Sequence, residues 1–416
     1  MRVGIIGAGV AGLTAAWLLQ DEHEVTLLEK QPRLGGHAHT VEVQHAGETI
    51  PAESGFEFFA EEGYPTFSKL LHLLHVRLRR YPMTFTLYSA KSGRAHLLPP
   101  SRTGFFFWPT LAPRSLAYLV QFAFLLRRAE ELVTRRDTAV TIQEFIERFP
   151  FSPAFRAAFL YPFLGGGWGF PLPEFRRMAA YNVLKYLVVL RPVGLTPRAF
   201  SEVAGGIATY VAALRAAMPR VTIRAGADIR HVRRCSGGFT AVDAAGNAYN
   251  FEHLVFATNA VEAGRLLRGV DGAEAERAVL HRFRYLRSTI AVHGDRRFMP
   301  REQRHWSVFN IRWSPERSLG TVWQQHRASI PLFRSWMAPD DPTPEPLYHM
   351  THYDHPAMDV EHFAAQRKLA VLQGRHNLRF AGLYAHDIDS HESAVRSAVF
   401  IARQLAPGSP HLASLL

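Results

Sequence analysis

The first thirty residues pass from an apolar run to helically spaced apolar positions and back to an apolar run. Residues 2–7 (RVGIIG) stop at a glycine, as buried parallel strands do. In Val10–Leu19 apolar side chains recur at helical spacing, and Glu24–Glu29 (EVTLLE) has the pattern of a second strand. This order predicts a strand, helix, strand unit that begins an α/β sheet.

Shorter patterns predict the elements of the next hundred residues. Residues 41–50 alternate around a turn at Gly47 and predict a hairpin, whereas residues 64–76 have the apolar spacing of an amphipathic helix. A strand pair is predicted at 84–98. The apolar run 115–126 is shorter than the roughly 20 residues that span a bilayer, so it predicts either a buried helix or a helix at a membrane interface.

The remainder of the chain mixes short strands with helices. Strands are predicted at 221–224, 229–234, 239–251 (a meander), 253–258 and 377–382, with an antiparallel, aromatic-rich region at 276–355. Helices are predicted at 141 onward, from a capping box, and at 181–190, 205–214 and 391–402.

Four glycines surround Trp168 in residues 159–170 (FLYPFLGGGWGF). Glycines at this density indicate that the backbone passes close to another group. That group is either a neighbouring segment at a tight helix junction or a flat ligand, in which case the stretch forms a wall of a substrate cavity.

Composition limits the classes of function. Hydrophobic residues make up 47% of the 416 positions, which suffices for a large core. The single cysteine, Cys235, excludes an internal disulfide and a cysteine-based metal cluster, and no spacing indicates another metal site. The chain enters a strand without a signal-like segment, so a cytoplasmic location is expected.

The net charge of +12 has two interpretations. It reflects either a compositional bias or a basic face for an anionic membrane or acidic substrate, which would allow peripheral contact at the inner membrane face. The basic residues are scattered and form no recognised nucleic-acid module, so nucleic-acid binding is not expected. Nothing in the sequence indicates the oligomeric state.

A dinucleotide-binding pattern lies in the first predicted strand, helix, strand unit. Gly7, Gly9 and Gly12 form G-x-G-x-x-G. The first glycine permits the tight turn, the second lets backbone approach a pyrophosphate, and the third lets the helix pack closely on the strand. The helix start favours an anion, and Glu29 ends the second strand where a carboxylate can bind an adenosine ribose.

Arg33-Leu-Gly-Gly36 follows, and with it the N-terminal stretch resembles the two-dinucleotide-binding motif of FAD flavoproteins. Residues 255–258 (VFAT) and 380–382 (FAG), the latter followed by a helix, also match in order. The chain thus resembles the flavin amine oxidase superfamily, which includes carotenoid desaturases, protoporphyrinogen oxidases and fatty-acid double-bond isomerases. Residues 33–41 and 53–56 are most similar to bacterial predicted NAD/FAD-binding proteins associated with lipid methyltransferases. Residues 161–187 resemble part of bacterial polyunsaturated fatty acid isomerases.

The resemblance implies non-covalent FAD and an α/β fold, in which a Rossmann-like FAD-binding domain is intertwined with an α+β substrate-binding domain. The latter is expected to contain a mixed or antiparallel sheet and a helical portion. The FAD-binding domain is expected to comprise residues 1–76, 201–275 and 361–416, and the substrate-binding domain residues 77–200 and 276–360. The implied cofactor contacts are Gly7, Gly9, Ala11, Gly12, Glu29, Lys30, Arg33, Gly35, Gly36, Glu53, Ser54, Gly55, Phe56, Ile229, Ala257, Thr258, Gly382, Glu392, Ser393 and Ala394.

Two departures from the superfamily argue against a true amine oxidase. That class carries a lysine near flavin N5 shortly after the returning strand, but this chain has no lysine between Lys185 and Lys368. It also places an aromatic-cage tyrosine just before the C-terminal helix, where this chain has Ser390.

The favoured hypothesis is an FAD-dependent oxidoreductase that desaturates or isomerises an apolar, unsaturated lipid or fatty-acyl substrate by hydride transfer at flavin N5. An amine oxidase acting on an unusual amine is the alternative, and a lipid carrier that resembles Rab GDP-dissociation inhibitors and uses no flavin is a further one. The candidate catalytic residues are Trp168, Tyr161 and His391. The remaining candidate bases are His37, His39, Glu57 and Glu392.

Overall fold

A five-stranded parallel sheet combines strands from the start, the middle and the end of the chain. The computed structural model describes residues 1–98, 113–190, 198–325, 327 and 330–416. Every neighbouring pair in this sheet, called the parallel sheet below, is parallel. Its strands, in spatial order, are Thr222–Ala225, Glu24–Glu29, Arg2–Ile6, His253–Phe256 and Leu378–Phe380.

The helix Val10–Leu19 follows the first strand and is buried along its whole length. Its small and apolar residues let it pack against both the parallel sheet and the amphipathic helix His391–Leu405. The two ends of the chain therefore meet at the glycine-rich turn, which lies at the carboxyl edge of the parallel sheet. In open α/β sheets, ligands bind at this edge.

A seven-stranded sheet is the second large sheet of the fold. Its strands, in spatial order, are Leu347–Pro356, Tyr285–His293, Phe333–Met337, Ser318–Trp323, Phe309–Trp313, Phe85–Ser89 and Ala95–Leu98. The Phe309–Trp313 and Phe85–Ser89 pair is parallel and the other pairs are antiparallel. This sheet and the neighbouring helices share a core rich in phenylalanine.

Within the described residues, three small sheets contain the remaining strands. They are the hairpin Thr40–His45 and Glu48–Glu53, the meander Ile229–Cys235, Gly238–Asp243 and Ala248–Phe251, and the antiparallel set Phe58–Phe59, Ala199–Val203 and Leu78–Pro82. The other α-helices are Pro65–Leu73, Pro113–Arg135, Ile142–Glu147, Pro153–Phe155, Tyr161–Gly165, Leu172–Arg176, Ala180–Leu190, Ala208–Ala216, Ala260–Leu266, Glu274–Leu280, Val360–Leu372 and Pro410–Leu415. A π-helix, Arg156–Leu160, joins Pro153–Phe155 to Tyr161–Gly165.

The predicted α/β class is confirmed, and most predicted elements lie within a few residues of their expected bounds. The run 115–126 belongs to the longer helix Pro113–Arg135, which buries Leu125 but leaves Val120 72% exposed. It is therefore buried on one face only. Among the described residues, no helix is long and apolar enough to cross a membrane.

Candidate functional site

A cavity of about 870 Å³ extends from the carboxyl edge of the parallel sheet to the seven-stranded sheet. One end is lined by the glycine-rich turn and by Glu29. The other end is lined by aromatic side chains. We call this end the aromatic arm, and it comprises Phe58, Phe85, Phe163, Phe200, Phe309 and Trp336.

The three glycines of the first turn have different surroundings. A Cβ on Gly9 would meet nothing within 4 Å, so its backbone faces open cavity. A Cβ on Gly12 would lie 1.9 Å from the carbonyl oxygen of Gly7, and Gly7 has φ +103°. Gly9 therefore leaves room for a pyrophosphate, whereas Gly12 lies outside the cavity lining and serves the close packing of the helix.

Glu29 ends its strand at the cavity wall, as predicted. Its carboxylate accepts hydrogen bonds from the backbone N–H groups of Ala8 and Gln31, each at 2.8 Å. These bonds hold the carboxylate against the glycine-rich turn. Lys30 and Ile229 also line this end of the cavity.

The Arg33–Gly36 segment is held against the glycine-rich turn. The Gly35 N–H donates to the Ala8 carbonyl at 2.8 Å, and a Cβ on Gly36 would lie 3.2 Å from the Gly9 Cα. Arg33 donates to the Gly36 carbonyl at 2.9 Å. The structure thus brings the two sequence motifs together on one wall. The predicted contact residues Gly7, Ala11, Ala257, Thr258 and Gly382 line the same cavity.

Glu53 does not line the cavity, contrary to the prediction. It is fully buried behind the wall, 3.3 Å from the guanidinium of Arg327, and accepts from the Ile207 N–H at 2.7 Å. Burial raises its pKa, although Arg327 opposes that effect. Ser54, Gly55 and Phe56 do line the cavity.

Gly55 lines the cavity and also packs closely on a neighbouring loop. A Cβ there would lie 1.9 Å from the His37 carbonyl oxygen, so only glycine allows this segment to pack on the loop that carries His37.

The C-terminal helix contributes fewer residues to the cavity than predicted. His391 and Ala394 line it. Glu392 points away and accepts from the N–H groups of Thr66 at 3.2 Å and Phe67 at 2.9 Å. The Ser393 N–H donates to the Ser390 hydroxyl at 3.1 Å, which caps the helix, so neither Glu392 nor Ser393 lies in the cavity lining.

His391 is held as a neutral ring. It stacks on Phe56 with ring centroids 3.9 Å apart, and its Nε2 lies 3.2 Å from the Tyr210 hydroxyl. Burial lowers the pKa of His391 to about 3. Burial and Arg33 likewise lower the pKa values of His37 and His39 to about 4.

The glycine-rich stretch around Trp168 packs tightly on neighbouring segments, as one of the two predictions expected, and it also borders the cavity. A Cβ on Gly166 would lie 2.7 Å from Ile311, and one on Gly169 would lie 2.4 Å from Trp336, so both positions require tight packing. Gly167 and Trp168 line the cavity. Tyr161 does not, because its ring packs under the Arg176 guanidinium at 4.5 Å, and it is not a candidate catalytic group.

Asp389 lines the cavity and was missed by the sequence analysis. Its Oδ2 accepts from the Trp168 indole Nε1 at 2.7 Å, and its backbone is fixed by Tyr186 and Asn182 at 2.8 and 3.2 Å. Its Oδ1 is buried and has no hydrogen-bond partner among the described residues. Burial raises the pKa of Asp389 to about 7. The only sequence signal was an acid directly before the C-terminal helix.

Glu57 also lines the cavity with a buried carboxyl group, which lies 3.4 Å from Arg334. Burial raises its pKa to about 7, against the effect of Arg334 and Arg327. Arg334 also donates to the Gly55 carbonyl and lies over the Trp336 ring at 4.8 Å. Glu57 therefore differs from Asp389 in having a cation beside it.

No lysine reaches the aromatic arm. Across the described ranges, which include all five lysines, only Lys30 lines the cavity, at the glycine-rich end. Lys185 is paired with Asp387 outside the cavity lining. The amine-oxidase lysine thus has no counterpart here.

Comparison with known proteins decides the family. The model of the family described as flavin containing amine oxidoreductase matches residues 10–322, three quarters of the chain. The chain belongs to this family. Its cofactor is therefore FAD, and the glycine-rich end of the cavity fits that group, because Gly9 leaves open space where the motif places a pyrophosphate.

Solved structures agree on the fold of this flavoprotein. A CLA-producing fatty acid isomerase from P. acnes is 15% identical, with TM-score 0.72, over 97% of this chain and 98% of that one. A putrescine oxidase is 14% identical with TM-score 0.70, over 98% and 99%. Cyclohexylamine oxidase from Brevibacterium oxydans IH-35A is 16% identical with TM-score 0.66, over 97% and 99%.

Curated relatives match the flavoprotein only over a short segment. An L-amino-acid oxidase from Siganus canaliculatus is 54% identical over 47 residues, which is 11% of this chain and 9% of that protein. An uncharacterized protein of Methanocaldococcus jannaschii is 58% identical over 36 residues, 9% of each. The chain thus spans less than a tenth of each of these relatives, and they do not indicate its substrate.

Proposed function

We propose that this flavoprotein removes hydride from an apolar, unsaturated lipid or fatty-acyl substrate. The observation that carries the proposal is the aromatic arm, which offers a hydrocarbon chain apolar walls next to the cofactor end of one continuous cavity. Apolar pockets with few polar groups bind their ligands mainly by burying the apolar surface of the ligand. The structural likeness to a fatty acid isomerase supports the same substrate class.

FAD, when bound, supplies the acceptor of two electrons at its N5 atom. The chain supplies position and exclusion of water. Phe163 and Trp336 of the aromatic arm line the cavity together with Trp168, and a chain lying between them is held in few orientations, which lowers the entropic part of the barrier. The same side chains exclude water from the reacting carbon.

The visible spectrum of the purified holoprotein tests this proposal. It is recorded under anaerobic conditions before and after addition of a mixed unsaturated lipid extract, and the lipid is recovered for analysis. Bleaching of the flavin band supports net oxidation, and shifted double bonds without bleaching support isomerisation. If neither the flavin nor the lipid changes, the lipid proposal is wrong.

An amine substrate is the second candidate, favoured by the family and by the fold shared with putrescine oxidase. The absence of a lysine from the aromatic arm argues against it. Release of hydrogen peroxide in air with a panel of primary and secondary amines, and none with lipids, would establish amine oxidation as the activity. A colourless protein that also fails to take up added FAD would instead favour a lipid carrier.

A further inference from the structure

Arg334 is the cation of the cavity wall that lies beside the aromatic arm. Across the described residues, the lysine and arginine side chains that line the cavity are Lys30, Arg33 and Arg334. The first two lie at the glycine-rich end. The guanidinium of Arg334 instead lies over the ring of Trp336, a member of the arm, at 4.8 Å. One buried positive charge therefore borders the apolar wall of the arm.

The polar contacts of Arg334 leave part of its guanidinium unused. Its Nη1 donates to the Gly55 carbonyl, and its Nε lies 3.4 Å from Oε2 of Glu57 without making a hydrogen bond. Both side chains are more than nine-tenths buried. Arg334 Nη2 and Glu57 Oε1 make no hydrogen bond to any described residue, yet neither atom is shut off from the cavity. The wall thus offers a ligand one guanidinium donor and one carboxyl oxygen.

The charged groups behind this pair compensate one another. Arg327 lies 3.3 Å from Glu53 and 3.2 Å from Glu202, and it does not line the cavity. Burial raises the pKa of Glu57 to about 7, although Arg334 and Arg327 oppose the rise. The titratable groups that face the pair from other elements are neutral near neutral pH, because burial raises the pKa values of the phenols and lowers that of the imidazole; they are Tyr81, Tyr353 and His355. A ligand in the arm therefore meets the charge of Arg334 next to a carboxyl group that can hold a proton.

The aromatic arm continues from Arg334 as a series of ring contacts. The ring centroids of Trp336 and Phe309 are 6.0 Å apart, those of Phe309 and Phe85 5.9 Å, and those of Phe85 and Phe163 5.6 Å. All four rings line the cavity. A hydrocarbon chain that starts at Arg334 can therefore lie against apolar surface along its length.

We propose that Arg334 and Glu57 bind the carboxyl group of a free fatty acid whose hydrocarbon chain lies along the aromatic arm. The inference rests on the proposed function and names the head group of its substrate. Arg334 Nη2 donates to one oxygen of the ligand, and protonated Glu57 donates to the other from Oε1. Two adjacent carboxyl groups do not both ionise, so they share one proton, and Arg334 balances the remaining negative charge.

Other head groups fit this pair less well. An ammonium group would lie beside a guanidinium of the same sign. A phosphate with two negative charges would exceed the single cation available there. An ester or thioester offers neutral oxygens, which form weaker hydrogen bonds than a carboxylate does.

Four ligands with the same hydrocarbon chain test the head group: oleic acid, methyl oleate, oleyl alcohol and oleylamine. Their dissociation constants are measured at a pH below 7 on the holoprotein with its FAD photoreduced, so that no hydride is removed. Quenching of tryptophan fluorescence reports binding, because Trp168 and Trp336 line the cavity. We expect oleic acid to bind about 10- to 100-fold more tightly than each of the others, which lack the charge-assisted hydrogen bond. Equal binding of the acid and the ester would overturn the inference.

Arg334→Met should weaken the binding of oleic acid about 10- to 100-fold and that of methyl oleate far less, with FAD retained. Arg334→Lys keeps the charge and should keep part of the preference for the acid. Arg312→Met is the matched control, because Arg312 lies on another strand of the same sheet and pairs with Asp341 outside the cavity lining. Loss of FAD from Arg334→Met, or equal weakening of acid and ester, would overturn the assignment.

The shared proton has its own signature in the pH dependence of binding. Oleic acid below its micelle concentration is ionised at neutral pH, so its binding takes up a proton once Glu57 is ionised in the free protein. The dissociation constant should therefore rise by up to about tenfold per pH unit above pH 7. Glu57→Gln should remove this rise, because an amide donates a hydrogen bond at any pH. An equal rise in wild type and Glu57→Gln would overturn the role of Glu57.

The two proposals fail in different ways. If none of the four ligands binds and the mixed lipid extract changes neither the flavin nor itself, the lipid proposal is wrong and the head-group assignment falls with it. If methyl oleate binds as tightly as oleic acid while lipid is turned over, the lipid enzyme stands and only the carboxyl assignment is wrong.

Discussion

Gly9 and Gly12 are three residues apart, but a side chain would have a different effect at each. At Gly9 a Cβ projects into open cavity, whereas at Gly12 it meets the backbone of Gly7. We therefore expect Gly9→Val to fold normally but to weaken FAD binding by at least about 100-fold, because the side chain occupies the place of the pyrophosphate. Flavin absorbance per protein and the apoprotein unfolding midpoint measure the two effects separately.

Gly12→Val is the control for this experiment. It should fail to give a folded protein, since the clash is with backbone that cannot move away. A folded, yellow Gly9→Val protein would mean that the pyrophosphate lies elsewhere.

Trp168 lines the cavity and also influences the protonation of Asp389. Its indole N–H stabilises the carboxylate form, so Trp168→Phe should raise the pKa of Asp389 above about 7. Hydrogen bonds to charged groups contribute about 1.5–3 kcal/mol, which corresponds to an upward shift of roughly 1–2 pH units. Infrared titration of the protonated-carboxyl band that Asp389→Asn removes measures the shift, and an unchanged or lower midpoint would contradict it.

Trp168→Ala extends the same argument to turnover. The larger deletion widens the cavity that Trp168 lines, so the rate or choice of substrate should change more than FAD content does. Parallel measurement of flavin per protein and of anaerobic bleaching separates the two. Equal loss of both would indicate that Trp168 serves packing alone.

At the scale of elements, the sequence predicted local structure well and distant pairing poorly. The strand, helix, strand unit and the C-terminal helix follow from periodicity, glycine spacing and caps, which are properties of neighbouring residues. The parallel pairing of Phe85–Ser89 with Phe309–Trp313 was not predicted, because more than two hundred residues separate the strands. Local patterns carry no information about such a partner.

The same limit explains the errors in the candidate site. Glu53 was placed beside the cofactor by motif alone, yet its partner, Arg327, comes from a distant turn. Asp389 was missed because the importance of its side chain arises from Trp168, more than two hundred positions earlier. The packing role of Gly12 was predicted because the backbone that a Cβ there would meet, at Gly7, belongs to the same turn.

Arg327 holds three elements together through buried charge. It lies 3.3 Å from Glu53 of the hairpin and 3.2 Å from Glu202 of the strand Ala199–Val203. Arg327→Met should lower the free energy of unfolding by about 3–5 kcal/mol, because it leaves buried carboxylates without a cation. Urea unfolding measures this. Adding Glu53→Gln should recover part of the loss, and a change below about 1 kcal/mol in Arg327→Met would contradict the argument.

At the scale of the whole molecule, an apolar surface is exposed to solvent next to basic residues. Val120 is 72% exposed on the helix Pro113–Arg135, Arg127 and Arg128 follow about two turns later, and the chain carries a net charge of +12. We propose that this face contacts an anionic bilayer, from which a lipid substrate would come. Apolar burial and attraction to anionic headgroups act together at such a surface.

Sedimentation with phosphatidylserine-containing vesicles tests this contact. Val120→Asp should lower the bound fraction, with a partition coefficient reduced about five-fold or more. The reason is that a charge replaces apolar surface that would be buried in the bilayer. Val371→Asp is the matched control, since Val371 is 85% exposed on another helix and should change little. Equal binding to neutral vesicles, or equal effects of the two variants, would contradict the assignment.

The order of strands in the parallel sheet has a consequence for synthesis on the ribosome. Its edge strand Leu378–Phe380 and the helix His391–Leu405, which covers Val10–Leu19, come from the last tenth of the chain. In the nascent chain, the apolar helix Val10–Leu19 therefore lacks its covering helix until translation is almost finished. We therefore expect the nascent chain to need chaperone protection during elongation and to capture FAD only after the C-terminal helix has left the ribosome.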